Sequence, residues 1–338
     1  MKKNLSIVLS FLMIIGLVLG AWGCAPADDP VDDVIDDPVD DEPVDDPEAD
    51  DIFIVVAAGS PGGVYFPLGA GLAYVFERRI PGATAMSETT GASVENCRLV
   101  ARGESEMGMA MANVAWDAYT GEGAFEDDGA LPIMTLFSMY PAQQHLITLE
   151  GSGINSVDDL VGKTVSVDAP GSGAEVTSEI ILGIAGILDD VNTVNYSQPE
   201  AAEALIDGMV DAVFYNFASP AAVVDQIQAS RDVKFVPIEA DLLDAIIAEY
   251  PYFSPGVIPA GHYGLEEDVS ALTVGNLMVV HEDMDEDLVY ELVKAVFHED
   301  SIAELIGIHP IAANFQVGLA AEAPVPLHPG AARFFEEQ

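Results

Sequence analysis

The sequence predicts an α/β fold in which mostly parallel sheets are flanked by helices, over Ile52–Gln338. Short runs of apolar and β-branched residues alternate there with segments of helical periodicity, which is typical of parallel sheets. Glycine, proline and small polar residues follow most of these runs, as they do where a strand leads into a helix. At about 290 residues, the region is long enough to form two lobes.

The expected strands and helices alternate along the chain in one order. Seven segments are predicted to be strands: Ile54–Ala58, Ala83–Glu88, Met107–Ala112, Thr164–Val167, Thr193–Ser197, Val210–Tyr215 and Leu272–Val280. Two further apolar runs are Leu131–Tyr140 and His145–Leu149. The first predicted helix carries Leu68, Leu72, Val75 and Phe76 on one face. Later helices are predicted from Ser93 to Gly103, around Trp116 and Tyr119 with Asn113 as the cap, from Ser172 to about Gly186, and over Pro199–Leu205 and Asp287–Phe297.

The segment Thr164–Thr177 has the pattern of an anion-binding loop. A short β-branched strand is broken by Pro170 and two glycines, and Ser172 then stands three residues before Glu175. That spacing is the capping box of a helix start, where N–H groups and the helix dipole attract negative charge. Two interpretations stay open: the loop binds a carboxylate or phosphate, or it is an ordinary capped helix in an α/β domain.

Several polar junctions between strand and helix are expected to meet at one cleft. In open α/β sheets, ligands bind outside the carboxyl ends of the strands. The junctions that lie at such ends are Gly59–Tyr65, Thr89–Ser93, Asn113, Gly171–Glu175 and Tyr215–Phe217. No Arg or Lys lies within them, so a bound carboxylate would be held by backbone N–H groups, hydroxyls and helix dipoles.

The first 51 residues are expected to lie outside the fold. Residues 1–24 have a positive start, an apolar run and Gly23-Cys24, which indicates a lipoprotein-type signal peptide with Cys24 as the lipidated residue. The alternatives are a cleaved signal without lipid and a retained membrane anchor. Residues 25–51 form an acidic, proline-containing linker that is expected to be disordered and to tether the folded part.

Composition excludes several classes of function. With 57 acidic and 11 basic residues the formal net charge is −46, so nucleic acid is excluded as a partner and adaptation to high salt is expected. The histidines show no metal-binding spacing, and no catalytic motif of a hydrolase or nucleotide-binding loop is present, so neither a metal, a cofactor nor an enzymatic activity is expected. Cys97 is expected to be a small buried residue.

Six segments, in order, resemble the TAXI-type solute receptors of TRAP transporters. They are Gly59–Gly69 (GSPGGVYFPLG), Thr89–Asn96 (TTGASVEN), Val165–Val176 (VSVDAPGSGAEV), Tyr250–Phe253 (YPYF), Ile258–Tyr263 (IPAGHY) and Pro326–Ala331 (PLHPGA). The resemblance implies a two-lobed, type II-like periplasmic-binding-protein fold with the ligand cleft between the lobes. We assign residues 52–140 plus 255–338 to lobe I and 141–254 to lobe II.

The resemblance also implies which residues line the cleft. By motif position, Ser60, Gly63 and Tyr65 would act with Thr90 and Ser93, opposite Gly171–Glu175. In such receptors Thr is common at the position of Ala174, and Ser or Asp is common at the position of Asn113, so this sequence departs from the pattern at both positions. Two interpretations stay open for each of three residues. Tyr65 and Tyr215 would either cover the carbon chain of the ligand or pack in the core. Glu175 would either cap its own helix or contact an ammonium group of the ligand. The predicted ligand-binding residues are Ser60, Gly63, Val64, Tyr65, Thr90, Ser93, Asn113, Gly171, Ser172, Gly173, Ala174, Glu175, Tyr215 and Asn216.

The function that the resemblance implies is solute capture outside the cytoplasm. The receptor, expected to be a lipid-anchored monomer, would bind a small anionic ligand, an amino acid or another carboxylate such as glutamate, glutamine, a dicarboxylate or a keto acid. It would deliver that ligand to a TRAP permease driven by an ion gradient. The alternative is a tethered ligand-sensing subunit of a signalling system.

Overall fold

The computed structural model describes residues 52–61 and 63–338, which contain ten strands and eleven α-helices. The strands are β1 Ile52–Ala57, β2 Ala83–Glu88, β3 Met107–Met111, β4 Ile133–Leu149, β5 Thr164–Ser166, β6 Asn192–Val194, β7 Ala212–Phe217, β8 Val233–Val236, β9 Phe253–Ile258 and β10 Val269–His281. The helices are α1 Tyr65–Arg79, α2 Ser93–Ala101, α3 Ala112–Thr120, α4 Gly173–Ile184, α5 Gln198–Ile206, α6 Ala222–Gln228, α7 Ala240–Glu249, α8 Glu286–Val296, α9 Glu299–Ile308, α10 Val317–Ala320 and α11 Pro329–Glu336. The predicted signal peptide, Cys24 and the acidic linker lie outside the described residues.

The strands form one sheet in the order β2-β1-β3-β10-β4-β7-β5-β6, with β8 paired to β4 and β9 paired to β10. Neighbours that are joined through helices pair in parallel: β1 with β2 and β3, and β5 with β6 and β7. In the described part of the chain, every antiparallel pair includes β4 or β10. The predicted α/β class is confirmed.

The two longest strands, β4 and β10, connect the two parallel groups of strands. The first half of β4 pairs with β10 next to β3, and its second half pairs with β7 and β8. The sequence suggested two separate apolar runs here, but β4 continues for 17 residues through Pro141. Proline has no N–H to donate, and the register between β4 and β10 shifts just after the Pro141–Gly275 pair, where the ladder is already irregular.

The core confirms the predicted apolar face of α1. Leu68, Leu72, Val75 and Phe76 are all fully buried. Cys97 is also fully buried, and burial raises the pKa of its thiol to about 12, so the thiol stays protonated and behaves as a small apolar group.

None of the described helices combines the length and apolar character that crossing a membrane requires.

The buried side chain of Asn96 links two strands to a loop. Its Nδ2 donates to the carbonyl oxygens of Ala58 and Met109, each at 2.7 Å, and its Oδ1 accepts the hydroxyl of Thr90 at 2.6 Å. These bonds join the end of β1 and the middle of β3 to the loop before α2. Asn96 thereby positions the segments after β1 and before α2, two of those that the sequence expects at the cleft.

Replacing Asn96 by Ala should lower the free energy of unfolding by about 2–4 kcal/mol, because two buried carbonyls and one hydroxyl lose their partner. Urea denaturation followed by circular dichroism measures the change. Asn155→Ala is the matched control: this exposed amide donates to the Gly153 carbonyl at 2.9 Å and accepts from the ammonium group of Lys234, and the loss of these two surface contacts should cost under about 1 kcal/mol. Equal losses in the two variants would contradict the bridging role of Asn96.

Candidate ligand-binding site

A pocket lies where the carboxyl ends of the parallel strands meet the first turns of the helices. Its volume is about 70 Å³, which at roughly 10–15 Å³ per water molecule is room for about five waters or a small organic molecule. We call it the central pocket. It is lined by Gly59, Ser60, Gly63, Val64, Tyr65, Thr90, Gly91, Ala92, Ser93, Met111, Tyr140, Asp168, Ala169, Ser172, Gly173, Ala174, Gln198, Asn216 and Asn276.

Five helix starts contribute to this lining. Tyr65 begins α1, Ser93 begins α2, Met111 precedes α3, Gly173 begins α4 and Gln198 begins α5. The first N–H groups of a helix have no partner within it, and together they carry a partial positive charge. The convergence therefore gives the pocket hydrogen-bond donors without any basic side chain.

The start of α4 shows these donors most clearly. Ser172 is the N-cap, as the sequence predicts, and its hydroxyl oxygen accepts the N–H of Glu175 at 3.1 Å. Neither Gly173 nor Ala174 has a hydrogen-bond acceptor for its N–H among the described residues. Both residues line the pocket, so these two donors are available to an anionic group bound there.

Glycine is required at position 173 because α4 begins against the end of β3. A Cβ atom at Gly173 would collide with the Sδ atom of Met111 and lie 2.9 Å from its Cβ. Two residues before Gly173, the carbonyl of Gly171 accepts the N–H of Val94 in α2 at 3.0 Å. These contacts join the first and second halves of the chain directly at the pocket.

Two tyrosines of the predicted set have different surroundings. The hydroxyl of Tyr65 donates to Oδ1 of Asn276 in β10, whose Nδ2 donates to the carbonyl of Tyr140 at 3.2 Å. Burial raises the pKa of Tyr65, so its ring lines the pocket in the neutral form. Tyr215 is fully buried, and its hydroxyl donates to the carbonyl of Gln198 at 3.0 Å. Tyr215 is thus a core residue behind the pocket.

The structure brings ten of the fourteen predicted residues into the lining. They are Ser60, Gly63, Val64, Tyr65, Thr90, Ser93, Ser172, Gly173, Ala174 and Asn216. The other four, Asn113, Gly171, Glu175 and Tyr215, do not line it.

Asn113 and Glu175 have structural partners. The predicted N-cap role of Asn113 is wrong: β3 leads directly into α3, Met111 is the N-cap residue, and Asn113 is buried in the first turn with its Nδ2 3.3 Å from the Thr177 hydroxyl. The carboxylate of Glu175 accepts the N–H of Gly171 and the amide of Asn195, each at 2.5 Å. Of the two interpretations of Glu175, these contacts favour the local structural one.

Sequence reasoning missed the one carboxylate in the lining, Asp168. It stands two residues after the end of β5, is only 4% exposed and has a left-handed backbone with φ of 80°. Its Oδ1 accepts the N–H of Ala169 at 2.6 Å, and its Oδ2 lies 3.4 Å from the amide of Gln198. Burial raises the pKa of Asp168 to about 6, and the neighbouring Glu175 adds to that effect. A polar residue at the carboxyl end of a buried strand was the available signal.

No Lys or Arg lies among the described residues that line the pocket. Arg98, the nearest base along the chain to the Thr89–Ser93 junction, instead makes a 2.7 Å ion pair with Asp128 at the surface. The polar character of the pocket therefore comes from helix N–H groups, hydroxyls, amides and a single carboxylate.

A sequence model of the NMT1-like family matches residues 56–338. Among solved structures, the chain is similar to the alkanesulfonate-binding protein SsuA from Xanthomonas axonopodis pv. citri bound to MOPS, at 13% identity over 85% of this chain and 84% of that one, with a TM-score of 0.46. It is also similar to a putative L-cystine ABC transporter protein from Listeria monocytogenes, at 15% identity over 76% and 94% of the two chains, with a TM-score of 0.46.

The raised pKa of Asp168 gives stability a defined pH dependence. The pKa is higher in the folded protein than the ordinary 3.8, so the folded state binds more protons between about pH 4 and 6 and the contribution of this group to stability falls as pH rises through that window. Asp168→Asn removes the effect and keeps a residue type that tolerates the left-handed backbone. Its unfolding free energy relative to wild type should therefore increase by roughly 2 kcal/mol from pH 4 to pH 7.

Urea denaturation at several pH values measures this difference. Asp189→Asn, which removes an exposed carboxylate outside the pocket, is the control for the loss of one negative charge. A difference between Asp168→Asn and wild type that stays constant from pH 4 to pH 7 would show that Asp168 is not a desolvated carboxyl group.

Proposed function

The chain belongs to the NMT1-like family, and we propose that it is an extracytoplasmic solute-binding receptor that captures a small carboxylate and delivers it to a membrane transporter. The observation that carries this proposal is the meeting of five helix starts at one pocket of about 70 Å³. Such a site binds a small ligand with negative charge, and its lining offers no paired nucleophile and base for turnover.

The ligand carboxylate would be held by N–H and hydroxyl groups that are free to donate. We place it at the N–H groups of Gly173 and Ala174. The hydroxyl oxygens of Ser93 and Ser172 already accept the N–H groups of Met111 and Glu175, so their protons remain available to a ligand. Thr90 differs, because its proton is used in the hydrogen bond to Asn96, and it would contribute by contact rather than by donation.

We propose that the described chain consists of two lobes joined where β4 and β10 cross between the two parallel groups of strands. Ser60, Thr90 and Ser93 approach the pocket from lobe I, and Ser172 and Asn216 approach it from lobe II. The sequence-based boundary, with lobe II as residues 141–254, falls inside β9. Because β9 pairs with residues 269–274 of β10, beside the half of β4 that pairs with β7, we extend lobe II to about residue 275.

The type of transporter is the most specific part of the proposal. The six motif segments resemble TAXI-type receptors, so we propose a TRAP permease driven by an ion gradient, with the receptor tethered through Cys24 and residues 25–51. The acidic linker would hold the folded part away from a membrane surface. A gene for a large multi-span permease beside the receptor gene would support this partner, and genes for an ATPase subunit in its place would contradict it.

Calorimetric titration of the protein with L-glutamate, glutarate, L-alanine and propionate tests the receptor function. We expect at least one probe to bind, and Ser172→Ala to weaken it by about 1 kcal/mol, roughly fivefold, because one donor is lost and the helix cap is weakened. Ser156→Ala is the matched control, since Ser156 caps the short helix Val157–Leu160 outside the pocket and its loss should leave affinity unchanged. Equal affinities for wild type and Ser172→Ala would contradict the proposed carboxylate position.

A further inference from the structure

The central pocket combines helix N–H donors with one buried carboxylate. The donors favour a negative group on a ligand, and the carboxylate favours a positive one. We propose that Asp168 is a specificity-determining residue that accepts the ammonium group of the ligand, so that the receptor selects amino acids over plain carboxylic acids. The inference rests on the proposed receptor function and assigns the substrate class of the same pocket.

The carboxylate of Asp168 lies beside the lining of the pocket. The residue stands just after β5 in a left-handed conformation that few residues other than glycine adopt, and it belongs to the lining. Its Oδ2 lies 3.4 Å from the amide of Gln198, which also lines the pocket. A left-handed residue costs conformational energy, so the surrounding structure must hold it in place. The amide of Asn195 contributes by donating to the carbonyl of Asp168 at 3.2 Å.

The carboxylate has hydrogen-bonding capacity left. Two oxygens offer about four acceptor sites. One is filled by the N–H of Ala169 at 2.6 Å, and the amide of Gln198 makes only a long contact of 3.4 Å to the other oxygen. An ammonium group with three donors is the small-molecule group that best fills the remaining sites while supplying positive charge.

The charge balance of the pocket also requires a cation. A buried carboxylate is costly unless it is paired, and no Lys or Arg among the described residues lines this pocket. The titratable groups that interact with Asp168 are Glu175, whose negative charge raises the pKa of Asp168, and Tyr215, whose phenol stays neutral because burial raises its pKa. An incoming ammonium group would compensate the charge that the protein leaves unpaired.

The two kinds of group lie on one short loop. Asp168 begins the segment and Gly173 and Ala174 end it, so one loop supplies an acceptor for an ammonium group and donors for a carboxylate. An α-amino acid carries both groups on one carbon atom. Matching such a zwitterion needs both functions within a small volume, and a pocket of about 70 Å³ provides this.

Matched ligand pairs test the inference. L-glutamate is compared with glutarate and L-alanine with propionate, by calorimetric titration at pH 7.5 of wild type, Asp168→Asn and Asp189→Asn. In at least one pair, wild type should prefer the amino acid at least tenfold over its desamino partner. Asp168→Asn should reduce that preference at least tenfold, and Asp189→Asn, which removes an exposed charge, should keep it.

The pH dependence of wild type gives a second readout that needs no variant. Because burial raises the pKa of Asp168 to about 6, the preference for the amino acid should fall several-fold between pH 7.5 and pH 5 as the carboxylate is protonated. The affinity for the desamino partner should not fall in parallel. A preference that does not change with pH, in a protein that remains folded, would contradict direct contact between Asp168 and the ammonium group.

The outcomes distinguish a failure of the proposed role of Asp168 from a failure of the proposed receptor function. If desamino partners bind as tightly as amino acids, or if Asp168→Asn keeps the full preference, the role of Asp168 is wrong while the receptor function stands. If none of the four probes binds at about 10 mM, the proposed receptor function for small carboxylates fails, and the inference fails with it.

Discussion

The close approach of α4 to the end of β3 is the constraint on which the rest of the site depends. Gly173 lies against Met111 with no space for a side chain, and the carbonyl of Gly171 accepts the N–H of Val94 in α2. These contacts bring the starts of α2 and α4 together, although their residues are about 80 positions apart in the chain. Without this approach, the N–H groups of Gly173 and Ala174 would face solvent, where water would satisfy them.

The pocket would let a strongly acidic protein bind the proposed carboxylate. At a formal net charge of −46, the long-range field opposes the approach of an anion, most strongly at low salt. Helix N–H groups act only over short distances inside the pocket, where the dielectric constant is lower and their attraction is greater. A zwitterion such as alanine carries no net charge, so the overall field would neither attract nor repel it strongly. The proposed contact of Asp168 with an ammonium group is therefore compatible with the negative charge of the whole chain.

Local patterns were sufficient for the class of the fold and for most of the lining. Ser172 was recognised as an N-cap from its spacing to Glu175, and the glycine-rich junctions after β1, β2 and β5 were placed at the cleft from strand order alone. These features are encoded in a few consecutive residues. Ten of the lining residues were accessible to sequence reasoning for this reason.

The features that sequence reasoning missed depend on strand pairing and on the burial of side chains. The continuity of β4 through Pro141 follows from its partner strand β10, which lies more than 120 residues away in the chain. The role of Asn113 as a cap was wrong because β3 enters α3 without an intervening turn. The importance of Asp168 comes from its burial without a basic partner, and a linear sequence does not show which carboxylates are buried.

Small-angle X-ray scattering with and without a bound ligand tests the central proposal that two lobes of this chain move together when a ligand binds in the central pocket. The claim predicts that the radius of gyration falls when a saturating concentration of the tightest-binding probe is added to the full chain. Asp189→Asn should show the same change as wild type. An unchanged radius of gyration, with binding shown by calorimetry on the same sample, would contradict closure of the lobes.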